Sequence, residues 1–537
     1  MNLKKPIALF AGIALFILPF FLELEGLSLM GHITLGIFLL AAVFWVTEPI
    51  PIYATSLLVI FLQILFLSVQ GPLFQLNEVP SATPAAVEEG VWEIPAGALQ
   101  DGERVLLLVN KNRAEAVPVE VVGEDAETVT VRSDLVAANS RLVLDADHWL
   151  LEFPAPGYTS YLNALANPII ILFLGGFVLA SAAVKYQLDR NLTRVILRPF
   201  GTKPAYVTMG LMLVTAGLSA FMSNTATTAM MMTVILPIVA QLDPNDRYRI
   251  GIALAIPFAA NVGGIATPIG TPPNAIVIGA LQEQGVSIAF GSWMMLAVPL
   301  VVVLLVFVWW LLLKVYPARE ERIVLDLSGK FNLSWKAVTL YVVFGLTVFL
   351  WVTEAWHGLS SSVVAFFPIA ALTAFQVIEK DEIRNLSWEV LWLMAGGIAL
   401  GISMRDTGLA EWLIGLIRWD AMGAFLVLAV FGFVAAGLSN FISNTVAASL
   451  LVPLAVTLGA SGILAEGVSF EMNAVIIAVG ASLGMALPIS TPPNAIAMST
   501  GMLRTADMAK MGILIGIVGL IIALALSQVL WPLLGLK

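Results

Sequence analysis

The sequence predicts an all-α polytopic membrane protein made of two inverted repeats, with a small all-β domain inserted into the first repeat. Of its 537 residues, 59% are hydrophobic and 12% charged, which is more apolar side chain than a soluble surface could cover. Apolar runs at 6–22, 296–313 and 511–533 are each long enough to cross a bilayer. Two polar motifs also occur twice, at one common spacing.

The apolar runs predict eleven transmembrane helices and two re-entrant hairpins. The predicted spans are 6–22, 30–47, 51–70, 168–184, 247–283, 290–316, 337–355, 361–378, 388–404, 472–500 and 508–534. The predicted hairpins are 203–240 and 422–456. Lys4 and Lys5 precede the first run and no cleavage site follows it, so we expect a retained span and a cytoplasmic N-terminus. The insert and the C-terminus then lie outside the cytoplasm, in a multi-pass protein of the cell inner membrane.

The hydrophobic pattern is interrupted by an insert at residues 78–153. It contains Val- and Leu-rich runs separated by turn residues, the pattern of short β-strands, at 105–109, 116–122, 128–131 and 141–144. The predicted domains are the first spans, the β-insert, the rest of the first repeat and the second repeat: 1–77, 78–153, 154–316 and 337–537.

Composition argues against several classes of function. The chain has no cysteine, which excludes disulfides, thiolate metal sites and cysteine catalysis. His32 and His357 lie at predicted span ends and His148 in the insert, where they support no metal site. The insert accounts for the whole net charge of −10, so the acidity predicts no nucleic-acid partner. We find no catalytic constellation and expect that the protein is not an enzyme.

The internal repeat is carried by two motifs in one register. Residues 219–225 match 439–445, and 268–276 match 488–496, both at an offset of 220 residues. The sequence Trp-Val-Thr-Glu that begins at Trp45 recurs at Trp351, with an excess offset of 86 residues that corresponds to the insert. Trp45 falls at the inner end of one predicted span and Trp351 at the outer end of another. This reversal predicts inverted repeats with binding sites at their interface.

The repeated motifs have the chemistry of ion sites. Pro268, Pro272 and Pro273 cannot donate backbone hydrogen bonds within a helix, which predicts a break whose unpaired carbonyls line a cavity or bind a cation. Each Ser-Asn-Thr triplet lies between two apolar half-segments, which predicts a hairpin tip with a helix starting at or just after the Asn. The N–H groups of such a helix start attract anions, although a capped helix start is the alternative.

Ionisable side chains are missing from both motifs, which favours sodium coupling over proton coupling. Glu48 and Glu354, close to the repeated tryptophans, are interpreted as snorkelling or capping groups, with a gating role as the alternative.

These residues resemble the divalent anion/sodium symporter family, the transporters of dicarboxylates, citrate and sulfate. The resemblance rests on the paired Ser-Asn-Thr and Thr-Pro-Pro-Asn motifs, on Asn167-Pro168 and Gly175-Gly176, and on the sequence from Trp45 to Pro49. It covers residues 1–75 and 155–537. It implies a homodimer in the lipid bilayer whose hairpins and broken helices move as an elevator against a fixed scaffold.

The resemblance also implies site residues. One sodium site would use Ser219, Ser223, Asn224 and the carbonyl of Gly270. The other would use Ser439, Ser443, Asn444 and the carbonyl of Ser490, with Ser439 at a position where a threonine is expected. The substrate would meet Asn224, Thr225, Asn444, Thr445, Thr271, Pro272, Thr491 and Pro492. Na⁺ is the implied coupling ion.

Three functional hypotheses follow. The first is sodium-coupled symport of a divalent organic anion, such as a dicarboxylate or citrate, or of sulfate. The second is sodium-independent anion exchange. In the third, the protein is a membrane anchor or sensor that works through the insert, since the stretches at 92–99 and 131–135 look similar to the membrane-proximal β-domain of periplasmic efflux adaptors. That likeness implies a periplasmic partner for the insert.

Overall fold

The protein is described here by a computed structural model. It covers residues 4–22, 24, 27, 29–68, nine strands between 81 and 152, 157–323, 332–416, 422–460 and 470–534. The chain forms two compact units. The first contains residues 1–165 and 395–418, and the second contains 166–394 and 419–537. The four predicted domains divide the chain differently and remain a prediction.

The first unit begins with apolar helices. These are α1 (Lys4–Ile17), α2 (Leu29–Thr47), α3 (Ile52–Leu67) and the short α4 (Tyr158–Asn163). The later part of α16 (Trp388–Asp406) and α17 (Leu409–Gly415) complete it. Gln63 Nε2 donates to Ala399 O at 2.9 Å and to Ser403 Oγ at 2.8 Å, and a Cβ on Gly396 would lie 2.5 Å from Ser56 Cβ. Helices α3 and α16 therefore pack closely.

Between α3 and α4 the chain forms nine strands in two sheets. They are β1 (Ser81–Ala82), β2 (Ala85–Glu88), β3 (Val91–Pro95), β4 (Val105–Asn110), β5 (Arg113–Pro118), β6 (Glu120–Glu124), β7 (Thr128–Arg132), β8 (Arg141–Asp145) and β9 (His148–Glu152). The strand orders are β1-β8-β9-β4-β5 and β2-β3-β7-β6. Val91, Ile94, Val129 and Val131 of the second sheet are buried. Since the strands belong to the same compact unit as α1 to α3, a separate β-domain at 78–153 stays a prediction.

The second unit is helical throughout its described residues. Its first part contains α5 (Pro168–Lys185), α6 (Leu188–Leu197), α7 (Pro204–Ser219), α8 (Asn224–Gln241), α9 (Tyr248–Gly264), α10 (Pro272–Gln282) and α11 (Phe290–Val315). It continues with α12 (Trp335–Val352), α13 (Glu354–His357), α14 (Ser361–Ala374), α15 (Lys380–Arg384) and the start of α16. It ends with α18 (Ala424–Ser439), α19 (Asn444–Ala460), α20 (Phe470–Ser482), α21 (Pro492–Ser499) and α22 (Thr505–Leu533).

The predicted hairpin tips and helix breaks are confirmed. The second arms of the hairpins, α8 and α19, begin at Asn224 and Asn444. The predicted span 247–283 is divided into α9 and α10, and 472–500 into α20 and α21. The order hairpin, broken helix and long helix thus occurs twice in the second unit.

The two copies of this arrangement exchange contacts reciprocally. Helix α10 of the first copy packs against α19 of the second, while α21 of the second packs against α8 of the first. Such reciprocity is the pattern of two copies related by an approximate two-fold axis. The upstream helices repeat as well, because Trp45 Nε1 donates to Ser56 Oγ and Trp351 Nε1 donates to Ser361 O.

The number of spans is not fixed by the structure. In the described residues, five helices are long and apolar enough to cross a membrane: Leu29–Thr47, Tyr158–Lys185, Phe290–Val315, Trp335–Val352 and Thr505–Leu533. Seven shorter apolar helices accompany them, so the count of eleven remains a prediction. The predicted spans and hairpins left out the short helices α4, α15 and α17 and also α6, which forms in the basic stretch after Lys185. Leu188 and Leu197 of α6 are buried while Arg190 is exposed, a pattern typical of an amphipathic helix.

Candidate functional site

The first hairpin tip brings three oxygen atoms together. Ser219 closes α7 and Asn224 opens α8, while Ala260 lies on the facing helix α9. Ser219 Oγ lies 2.5 Å from Asn224 Oδ1 and 2.8 Å from Ala260 O. As the Asn224 amide is oriented in the structure, both neighbours are acceptors and only the serine has a hydrogen to donate. Three oxygens that share one hydrogen are suited to receive a cation.

Two glycines at the first break allow backbone oxygens to join this group. A Cβ on Gly264 would lie 2.7 Å from Asn224 Oδ1 and 3.0 Å from Gly270 O. A Cβ on Gly270 would overlap with Gly264 O. Gly270 O and Asn224 Oδ1 therefore both border the space that a side chain at position 264 would fill. We call Ser219, Asn224, Ala260 O and Gly270 O the first oxygen cluster.

The second hairpin tip repeats this arrangement. Ser439 Oγ lies 2.6 Å from Asn444 Oδ1 and 2.6 Å from Ala481 O. A Cβ on Gly484 would lie 2.6 Å from Ser439 Oγ. We call Ser439, Asn444 and Ala481 O the second oxygen cluster. The carbonyl that accepts from the serine, Ala481 O, is one residue out of register with Ala260 O, and α20 ends at Ser482 whereas α9 continues to Gly264.

The side chains of Ser443, Ser223 and Ser490, the other serines named for the two sodium sites, differ in their local hydrogen bonds. Ser443 Oγ accepts a hydrogen bond from Val446 N at 3.2 Å and so caps α19, whereas Ser223 forms no side-chain cap on α8. The side chain of Ser490 pairs with Leu487, accepting from its N at 3.1 Å and donating to its O at 2.6 Å. The capping interpretation thus holds for Ser443.

Each hairpin tip also presents a helix start. In α8 the first backbone hydrogen bond runs from Thr227 N to Ser223 O, so the N–H groups at 224–226 have no acceptor within the described residues. Thr225 is half-buried and Thr445 is 9% exposed. A helix start with free donors, next to a threonine hydroxyl, can bind a negatively charged group.

The proline motifs begin helices rather than interrupt them. Pro272 and Pro492 are the first residues of α10 and α21, a position where a backbone N–H would lack a partner in any case. Thr271 and Thr491 precede them in extended conformation, and Thr491 Oγ1 accepts from Asn494 N at 3.4 Å. The break predicted from these prolines is therefore present, and the cation-binding role of its carbonyls stays a prediction.

The asparagine of each proline motif uses its nitrogen to hold the break. Asn274 Nδ2 donates to Gly264 O at 3.1 Å, Ile265 O at 3.3 Å and Thr267 O at 2.8 Å. Asn494 does the same in the second copy, donating to Met485 O at 2.8 Å and Leu487 O at 3.0 Å. The nitrogens of these two side chains thus satisfy buried carbonyls of the break, while Asn274 Oδ1 has no partner among the described residues.

We expect Asn274→Ala to lower the free energy of unfolding by about 1–3 kcal/mol, because buried carbonyls would lose their side-chain donor. Tryptophan fluorescence during heating of the purified protein measures the change in thermal midpoint. The exposed Asn385 provides the matched control, since Asn385→Ala removes the same group from the surface. Equal midpoints for the two variants would contradict this role of Asn274.

Each tip is further tied to its own break by a side chain. In the first copy Thr267 Oγ1 donates to Ala220 O. In the second, Asn440 Oδ1 accepts from Ala486 N at 2.7 Å. The connection is preserved although the side chain that makes it lies on the break in one copy and on the tip in the other.

The two tips are covered unequally. Phe221, beside the first Ser-Asn-Thr motif, stacks on Phe290 with ring centroids 6.5 Å apart and meets Phe344 edge-on. Phe290 in turn stacks on Trp351 at 4.9 Å. The equivalent residue of the second tip, Phe441, is 72% exposed. Among the residues that the structure describes, an aromatic stack therefore covers the first tip but not the second.

Sequence reasoning missed Asn261, which connects the two copies. It lies in α9 and is 2% exposed. Its Nδ2 donates to Thr491 Oγ1 at 3.1 Å and to Asn494 Oδ1 at 3.3 Å. The available signal was a lone amide in the apolar run 252–262, since a buried polar side chain needs partners.

In the described residues, the charged side chains with identified partners belong to neither oxygen cluster. Glu354 Oε2 accepts from Phe290 N at 3.0 Å, which confirms a capping role for this residue. Glu48 has a φ of 47° just after α2. Lys185 lies 2.9 Å from Glu382, and this hydrogen bond lowers the pKa of the Glu382 carboxyl below its ordinary value. The described residues contain no group of His, Cys, Asp or Glu suited to hold a metal ion.

Comparison with known proteins identifies the class of protein to which this chain belongs. The model of a family described as citrate transporter matches residues 149–480 and again 348–535. The sodium-dependent dicarboxylate transporter SdcS of Staphylococcus saprophyticus is 30% identical over 403 residues, covering 68% of this chain and 77% of that protein. An uncharacterized transporter of Haemophilus influenzae is 30% identical over 390 residues, which cover 69% of this chain and 82% of that protein.

A likeness of fold supports these matches. The YdaH transporter of Alcanivorax borkumensis superimposes with a TM-score of 0.51 at 13% identity, covering 78% of this chain and 94% of that one. The apolar helices and the family match define a multi-pass membrane transporter. More particularly, the chain belongs to the citrate transporter family.

Proposed function

We propose that the protein is a secondary active transporter that couples the entry of Na⁺ to that of a divalent organic anion, such as a dicarboxylate or citrate, or of sulfate. The observation that carries this proposal is the pair of oxygen clusters, each built from a hairpin tip and a facing helix. Support comes from the relatives named sodium-dependent dicarboxylate transporter and from the family description.

The oxygen clusters suit sodium for a chemical reason. A hard cation prefers oxygen ligands, and each cluster offers a hydroxyl, an amide oxygen and a carbonyl without a formal charge. Na⁺ at the first cluster would meet Ser219, Asn224 and the Gly270 carbonyl, with Ser223 able to turn towards it. At the second it would meet Ser439, Asn444 and the carbonyls of the break, where we keep Ser490 O as a proposed ligand.

The anion would bind between the two helix starts. The free N–H groups of α8 and the hydroxyls of Thr225 and Thr445 are donors, as an anion requires. Thr271, Pro272, Thr491 and Pro492 stand at the starts of α10 and α21 and complete the proposed pocket. Sodium bound beside these donors would add positive charge, which explains how neutral residues could hold a divalent anion.

The membrane arrangement is part of the same proposal. We propose a homodimer of the inner membrane with a cytoplasmic N-terminus, in which hairpins and broken helices move as an elevator. The reciprocal contacts between copies support inverted repeats. The insert would lie outside the cytoplasm, where it could meet a periplasmic partner.

Uptake by proteoliposomes tests the function directly. Purified protein is reconstituted and offered labelled succinate, citrate or sulfate, with an inward sodium gradient or with potassium in place of sodium. We expect at least tenfold faster uptake of one anion with the gradient. Equal uptake in both conditions would reject sodium coupling, and counterflow without sodium would indicate exchange.

Deleting residues 78–153 separates transport from a sensor function. If the protein is a transporter, the shortened chain keeps sodium-driven uptake after reconstitution. The anchor or sensor hypothesis would be favoured by two results together. The chain would transport nothing with or without the insert, and the insert alone would capture an envelope protein.

A further inference from the structure

Asn261 joins a helix of the first copy to the break of the second. Its Nδ2 lies 3.1 Å from Thr491 Oγ1 and 3.3 Å from Asn494 Oδ1, and all three residues are at most 3% exposed. The contact therefore forms away from water, where each hydrogen bond has a defined direction.

The hydroxyl of Thr491 has its two acceptor positions filled. Thr491 Oγ1 accepts from Asn261 Nδ2 and also from Asn494 N, at 3.4 Å. A hydroxyl has two lone pairs and one hydrogen, so this hydrogen must point to a third partner. In the part of the chain that the structure describes, no protein atom accepts it. Thr491 thus presents an oriented donor that still needs an acceptor.

Asn494, the neighbouring polar side chain, cannot take this role. Both hydrogens of its Nδ2 go to Met485 O and Leu487 O, and its Oδ1 accepts from Asn261. Of the side chains at this break that contact Asn261, only Thr491 therefore has a hydrogen left for a ligand.

Within the described residues, the first break lacks the equivalent contact. Since Ser219 bonds Ala260 O and Ser439 bonds Ala481 O, the following residues, Asn261 and Ser482, correspond. Ser482 Oγ and Asn274 Oδ1 are both buried, and neither has a hydrogen-bond partner among the described residues. Thr271 forms no side-chain cap on α10. The two proline motifs therefore differ in that only the second has its threonine hydroxyl fixed.

We infer that Asn261 is a positioning residue that fixes the Thr491 hydroxyl as a hydrogen-bond donor to the transported anion. This inference rests on the proposed function. Thr491 touches the anion, and Asn261 acts through Thr491. Because the first break lacks this contact, one end of the anion is held by an oriented hydroxyl at the second proline motif, which gives the bound anion a preferred direction.

The test is a double-mutant cycle on the full-length protein in proteoliposomes. Asn261→Leu removes the donor at nearly constant size, and Thr491→Val removes the hydroxyl. We expect each change to raise the KM for succinate about tenfold, the effect of one hydrogen bond to a charged group. The half-saturating sodium concentration should stay within twofold of the wild-type value. The double variant should be no worse than Thr491→Val alone, since Asn261 has no separate contact with the anion.

Two further variants complete the design. Asn261→Asp keeps the size of the side chain and a polar group in place, and it replaces the leucine variant in the test if that variant does not fold. Its carboxylate would accept the Thr491 hydrogen, so we expect at least the same rise in KM. Ser482→Ala is the matched control on the other copy, with a KM within twofold of wild type. A purely structural role of Asn261 would lower the thermal midpoint without changing the KM.

The outcomes are distinguishable. An unchanged KM in folded Asn261 variants of an active transporter would overturn the inference alone, and so would additive effects of Asn261→Leu and Thr491→Val. Wild-type protein that neither binds nor transports succinate, citrate or sulfate would overturn the proposed function, and this inference with it.

Discussion

Replacing Gly270 by alanine is expected to abolish sodium-driven anion uptake. The new Cβ would overlap with the Gly264 carbonyl, which is backbone and cannot turn aside like a flexible side chain. The break between α9 and α10 must then open, which moves Gly270 O away from Asn224. We expect initial uptake of the transported anion to fall at least a hundredfold, because the first oxygen cluster loses its shape.

Two other glycines of the chain provide the control for this variant. Gly217 and its repeat equivalent Gly437 are exposed helical glycines whose Cβ would meet nothing within 4 Å. Gly217→Ala and Gly437→Ala should keep uptake near the wild-type rate, and alanine is favoured over glycine in a helix by about 1 kcal/mol. If Gly270→Ala transported as fast as these controls, the first break could not be part of the site.

Asn224→Ala and Asn444→Ala should each reduce uptake by at least a hundredfold. Each change removes the amide oxygen that lies 2.5 or 2.6 Å from the tip serine. Since the lost atom is an oxygen of a proposed sodium site, saturating anion should not restore the rate. Raising the sodium concentration should restore part of it. Uptake rates measured across sodium concentrations at fixed anion provide the test.

A substitution at the protein surface and a check of folding are the controls for these two variants. Asn385→Ala removes the same side chain from an exposed position and should leave uptake unchanged. The Asn224 and Asn444 variants should still elute as folded protein, since both residues are only half-buried. Normal sodium dependence in either variant would remove that asparagine from the cation site.

The positions of the hairpin tips and helix breaks could be predicted because the motifs that mark them occur twice in the sequence. The offset of 220 residues located Asn224 and Asn444 as starts of helices, and proline marked where each broken helix resumes. Local rules suffice for such features, since a proline at a helix start acts through its own backbone.

The directions of the amide side chains could not be predicted. An asparagine offers both a donor and an acceptor, and the sequence does not show which one faces a ligand. For Asn274 and Asn494 the nitrogen proved to hold the break. Asn261 was missed for a related reason, because its partners lie more than 200 residues away and outside the register of the repeat.

Matching the two repeats at a constant offset of 220 residues does not pair every equivalent residue. An alignment at 220 pairs Ala260 with Gly480, yet the structure gives Ala481 the equivalent hydrogen bond. The shift arises where α20 ends two residues earlier than an offset of 220 from α9 would place it. Where a helix ends is decided by packing and capping, so a repeat can preserve its geometry while the chain slips by one position.

The unequal cover of the two hairpin tips has a kinetic consequence. Releasing the first tip must separate Phe221 from Phe290 and Phe344, and aromatic pairs of this kind contribute about 0.5–1.5 kcal/mol each. At the second tip Phe441 is exposed and forms no such stack with the described residues. In the proposed transporter the two hairpin tips would therefore be released at different speeds, so a protein built from duplicated halves would still work unevenly in its two directions.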